Sequence, residues 1–256
     1  VLRVVHIEFW RFLRALSRYP LELLGSVLGA VVVFALFFSG ARYLAGPALF
    51  GERLEALVVS LITWSLAFSL LSQIASNISE EALAGLLEQL ALTRPGLLGV
   101  VLVRALLSLL QIGLLVIPIV LAILLTSGAR LDFPPLALLP LGTLALGSLG
   151  LGLMLGGLAL VYKRVGQLLG LLQFAFLGLF LVRFEAFAWP WSGLGYLLPL
   201  TPSVAALRLL LGRGETPGWD LLVLAGINAL VYLALGVGFF RRALRRVRRQ
   251  GTLGTY

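Results

Sequence analysis

The chain has 256 residues, of which 60% are hydrophobic and only 12% charged, and its mean hydropathy is +1.06. A water-soluble domain carries roughly 25% charged and about 45–50% apolar residues, so this composition excludes one. The net charge of +9 marks, in a membrane protein, the cytoplasmic rims and not a nucleic-acid footprint, while the absence of cysteine and the single histidine, His6, exclude a disulfide framework, thiol chemistry and any multi-histidine or cysteine metal site.

At the start, Val5, Phe9, Leu13 and Leu16 recur at spacings of three or four, with Arg11, Arg14 and Arg18 elsewhere. This pattern predicts an amphipathic helix over 1–19 lying in the membrane interface, where His6 is structural, and it does not fit a cleaved signal peptide. Pro20 marks the turn into the first of six apolar spans, 21–38, 54–75, 97–125, 136–161, 165–182 and 221–240. Each approaches or exceeds the ~20 residues that cross a hydrocarbon core of about 30 Å. An even number of spans puts both termini on one side. With the termini in the cytoplasm, fourteen of the twenty basic and five of the eleven acidic residues face inward, so the outer side is neutral and the inner side carries the whole +9.

Between the second and third spans, Asn77 or Ser79 can cap a separate helix over 77–94 whose first turn carries Glu80 and Glu81 and whose end is marked by Pro95. Leu83, Leu86, Leu87 and Leu90 share one of its faces. Arg104, about two turns into the third span, is expected to snorkel or to form an ion pair with Glu88 or Glu22. Glycines at helix-packing spacing, Gly25 with Gly29, Gly152 with Gly156 and Gly166 with Gly170, predict close packing within the chain or at a dimer seam. Residues 183–220 are too aromatic and apolar for an ordinary loop. Pro190, Pro199 and Pro202 divide them into two short helical pieces of an outer-leaflet, re-entrant type. The C-terminal arginines, 241–249, read as a topology anchor and not as a nucleic-acid site. The fold expected is an all-α polytopic membrane protein, one domain over 1–256.

Glu81, then Gly85-Leu86-Leu87-Glu88-Gln89-Leu90, then Thr93-Arg94-Pro95, resembles the "E, G-T-L-E-Q-L, S/T-x-P" signature of membrane subunits of type-two ABC exporters, with Leu86 where that family usually has Thr. Leu131 to Pro135, Tyr162-Lys163-Arg164-Val165-Gly166 and Pro199-Leu200-Thr201-Pro202 extend the resemblance over most of the chain. It implies a permease subunit in the cell inner or plasma membrane, working as a homo- or heterodimer with separate ATP-binding subunits. It further implies that the 77–94 segment is a coupling helix in which Glu80, Glu81, Gly85, Glu88, Gln89 and Arg94 make or brace the ATPase contact. By the same resemblance the translocation path runs between the permeases, with Ser65, Ser69, Ser72 and Gln173 as its polar lining. A phosphate-binding loop needs G-x-x-x-x-G-K-[ST], and the only lysine, Lys163, stands between Tyr162 and Arg164. If, as the resemblance implies, transport is driven by ATP, then ATP and magnesium are expected on the partner, and this chain is expected to hold no cofactor and no catalytic residue. An ion-coupled secondary transporter would normally need a carboxylate deep in a span, whereas Glu22, Glu185 and Asp220 lie near span ends. A non-transporting scaffold fits the hydropathy equally but leaves the signature unexplained.

Overall fold

A central helix of 25 residues, most of them Leu, Gly or Ala, has the rest of the core arranged around it. The structure, a computed structural model, describes residues 52–91, 96–109, 133–162 and 165–250, with isolated residues between 10 and 43 and Leu121. All regular elements among these residues are helical. They are α1 (Glu52–Leu83), α2 (Leu87–Ala91), α3 (Gly96–Leu109), α4 (Leu138–Tyr162), α5 (Gly166–Leu181), α6 (Trp191–Leu197), α7 (Thr201–Leu207) and α8 (Trp219–Gln250). A 3-10 turn over Pro135–Ala137 leads into α4, and a π-helical turn over Arg208–Gly212 continues α7.

The central helix is α4. Its glycines set how closely its neighbours approach. A Cβ on Gly236 of α8 would overlap the carbonyl of Gly150, and one on Gly150 would overlap the backbone of Tyr232 and Leu233, so the two helices meet backbone to backbone. On another face Gly152 and Gly156 receive Leu71, Ile74 and Ile78 of α1. That pair therefore serves packing within the chain. Gly25, Gly29, Gly166 and Gly170 have no such neighbour among the described residues.

Among the described residues, three helical stretches are long and apolar enough to cross a membrane: Val58–Leu83, Pro135–Tyr162 and Trp219–Gln250. A fourth is added if Trp191–Leu197 and Thr201–Gly212, bent by 107° at their junction, count as one broken span. Of the other expected spans, α5 has 16 residues, or about 24 Å at 1.5 Å per residue, short of the hydrocarbon thickness. Only 96–109 and Leu121 of the third span are described. The first span is represented by isolated helical residues, and of the interfacial helix expected over 1–19 only Trp10 and Arg14 are described.

The expected separate helix over 77–94 is corrected. Residues 77–83 belong to α1, which runs through Asn77 and Ser79 without a break. Those side chains cap only where the preceding backbone leaves the helix, and here tertiary burial keeps it helical. Ile74, Ala75, Ile78 and Ala82 continue one stripe and are at most 4% exposed. The expectation of two short pieces in the 183–220 region is met by α6 and α7.

Candidate functional site

The end of α1 is a Schellman motif. Gly85 takes φ 70°, its N–H donates to the Ala82 carbonyl (3.2 Å), and the Leu86 N–H donates to the Glu81 carbonyl (3.0 Å). Only a residue without a Cβ adopts this left-handed conformation freely, so Gly85 is where the chain can reverse into α2. Leu87, 2% exposed, anchors the start of α2 in the same apolar cluster as Ala82 and Leu97. What remains outside is the turn itself: Glu80, Leu83, Ala84, Gly85, Leu86 and Gln89 are exposed.

Glu81 points the other way. Its Oε1 pairs with Arg104 Nη1 of α3, and the two side chains are only 12% and 17% exposed. The expectation of an ion pair is met with Glu81 as a partner; Glu22 and the Glu88 side chain, the partners expected for Arg104, lie outside the described residues. Because α1 extends past Asn77, Glu81 stands on its inward stripe between Ile78 and Ala82, level with the arginine. Glu81 Oε2 is buried with no hydrogen-bond partner among the described residues. Of the six residues expected at a partner contact, Glu80, Gly85 and Gln89 are exposed at the turn, Glu81 braces it from within, Glu88 lies in α2, and Arg94 is outside the described residues.

Two polar faces of α1 differ in kind. Ser60 and Thr63 are buried and donate to the carbonyls of Ala56 (2.7 Å) and Val59 (2.8 Å), which lets hydroxyls enter an apolar interface without an orphaned proton. Ser65, Ser69 and Ser72 recur at spacings of four and three on a different face. Ser69 is exposed, the other two are half-buried, and Ser72 Oγ donates to the Ser69 carbonyl at 3.2 Å. Gln173 of α5 is half-buried, and its main-chain carbonyl accepts the Trp64 indole N–H at 3.0 Å, so the expected path residues lie on two neighbouring helices.

At the opposite end of α1, a buried arginine escaped the sequence reading. Arg208 opens the π-helical turn and is 4% exposed. Its Nε donates to Ser60 Oγ at 2.8 Å, its Nη2 to the Phe180 carbonyl, and both terminal nitrogens to the Val182 carbonyl at 3.2 Å. It thus satisfies carbonyls at the C-terminal end of α5 that have no helical partner and ties α5 to α1. The signal was available: Arg208 stands alone in Val204-Ala205-Ala206-Leu207-Arg208-Leu209-Leu210-Leu211, a run too apolar to leave in water.

Asn228 of α8 secures the adjoining break. Leu200 has φ 68°, a strained conformation for a residue with a side chain. Its N–H donates to Asn228 Oδ1 (3.2 Å), while Asn228 Nδ2 donates to the carbonyls of Tyr196 and Leu198 (both 3.1 Å). Thr201 Oγ1 adds bonds to the carbonyls of Gly195 (2.6 Å) and Leu198 (2.9 Å). The bend thereby meets its buried backbone groups from within the protein, as irregular backbone in an apolar medium requires. No protein-family model and no curated protein matches the chain.

Proposed function

We propose that the chain is the permease subunit of an ATP-driven exporter of the type-two ABC class. In this reading it has six spans with both termini in the cytoplasm of a cell inner or plasma membrane. It pairs with a second permease, identical or different, and docks on separate subunits that bind ATP and magnesium. The observation that carries the reading is the turn over 83–86 with the adjoining Glu80, which together combine an exposed apolar and acidic surface with a buried brace. Leu83 and Leu86 are 58% and 43% exposed beside Glu80, while the Glu81–Arg104 pair and Leu87 fix the turn to α1 and α3 from behind.

A coupling element needs both properties. Its surface must fit a partner, and its mounting must be stiff enough that displacement by the partner moves whole helices and is not absorbed by a loop. ATP-driven closure of the partner subunits would push the turn, carry α1 and α3 with it, and change the opening of a path lined by Ser65, Ser69, Ser72 and Gln173. This assignment is tested by co-purifying the chain with its ATP-binding partner. Glu80→Lys with Leu86→Asp, both exposed, should abolish association without lowering the melting temperature of the isolated permease. Transport by liposomes that contain this chain and no ATPase would overturn the proposal.

A further inference from the structure

We propose that the last ten residues of α8 form a binding face for anionic phospholipid headgroups. The inference needs only that α8 crosses the bilayer and stands apart from the transport reading. After Asp220 the helix has no charge until Arg241, and residues 221–240 at 1.5 Å each span about 30 Å, the thickness of the hydrocarbon core. Arg241 therefore emerges at the hydrocarbon edge. Residues 241–246 climb about 8 Å further, close to the depth of one headgroup layer.

Six arginines follow within nine positions, Arg241, Arg242, Arg245, Arg246, Arg248 and Arg249, and all six are exposed. At 100° per residue they share an arc of about 160°. The intervening Ala243, Leu244 and Val247 are at most 9% exposed, and the last two pack in the same cluster as Ala82, Leu87 and Leu97. The extension is therefore no loose tail. Its rotation is locked by the core, and the arginine arc is held outward.

No described residue neutralises this face. No acidic residue follows Asp220 in the sequence, and none of the six arginines is ion-paired with a described residue. Like charges recur at i,i+3 and i,i+4, an arrangement that weakens a helix end unless anions lie between them. Guanidinium forks match phosphate oxygens in pairs. Arg241 and Arg242 emerge at the hydrocarbon boundary, at the depth of the lipid phosphates, which favours lipid over an acidic protein docking from solution.

The test reconstitutes the full chain in phosphatidylcholine bilayers and compares the motionally restricted fraction of spin-labelled phosphatidylglycerol and phosphatidylcholine. Each basic residue near an anionic surface strengthens association by about fivefold, so a several-fold preference for phosphatidylglycerol is expected, falling in 1 M salt. Replacing all six arginines by Gln should abolish the preference. Arg242→Gln, Arg246→Gln and Arg249→Gln together should roughly halve the number of retained phosphatidylglycerol molecules while leaving three charges to preserve insertion, and six Lys replacements should keep most of the preference. Equal retention of the two lipids by the unaltered chain would overturn the proposal. So would an undiminished preference in the triple variant, or a face that ignores lipid and retains only an acidic soluble protein.

Discussion

Two arginines enter the apolar core from opposite ends of α1, and they are accommodated by different chemistry. Arg104 meets a carboxylate, Glu81, across the junction of α1 and α3. Arg208 spreads its donors over a hydroxyl and two main-chain carbonyls, joining α1, the end of α5 and the π-helical turn. The first arrangement depends mainly on opposite charge and the second on the shape of the guanidinium. A point charge can replace Arg104 far better than it can replace Arg208.

The largest effect is expected from removing one member of the charged pair. Glu81→Ala leaves a guanidinium in an environment it shares with apolar side chains, and breaking such a pair costs about 3–5 kcal/mol when burial is complete. With the two side chains 12% and 17% exposed, the lower end, about 3 kcal/mol, is expected. Thermal unfolding of the detergent-solubilised protein measures it. The double variant Glu81→Ala with Arg104→Ala should be less destabilised than the sum of the singles, because the two side chains contact each other directly and each single already loses that contact. Strict additivity would show that the pair is not coupled.

Arg208→Ala comes next, at about 2 kcal/mol, since it strands the carbonyls of Phe180 and Val182 and deprives Ser60 of its donor. The loss should be local. Hydrogen exchange at the end of α5 and across the π-helical turn should accelerate, with little change around Glu81 and Arg104. Uniform acceleration over both ends would mean that Arg208 supports the whole bundle and not this one junction.

The legible features of this chain were those written as composition and punctuation. Apolar runs announced α4 and the apolar part of α8, and Pro199 and Pro202 announced the break between α6 and α7. Features that depend on the rotation of one helix against another were hidden. Asn77 and Ser79 look like caps, yet Ile74, Ile78 and Ala82 are drawn into the core and carry α1 past them. Once α1 continues, Glu81 must face α3, which moves it from the expected docking surface to the brace behind it. The same phase leaves Glu80, one residue earlier, on the outside. The burial of Arg208 depends on the carbonyls at the end of α5 lying beside it, and no local pattern in either segment encodes that meeting. Gly150 and Gly236 are equally silent in sequence, since their role exists only where two distant helices cross.

The smallest expected effect is the sharpest test of the contrast between the two arginines. Arg104→Lys keeps a positive charge within reach of Glu81 and should cost less than about 1 kcal/mol, the scale of a weakened but surviving charged contact. Arg208→Lys offers a single ammonium to Ser60, Phe180 and Val182, which lie in different directions. It cannot reproduce the planar fork, so it should lose about 1–2 kcal/mol, most of the loss seen with alanine. Melting temperatures of the two lysine variants in one detergent decide the matter. If they fall equally, Arg104 is also held by shape; if Arg208→Lys is neutral, the fork at the end of α5 is dispensable, and what that junction needs is a buried positive charge.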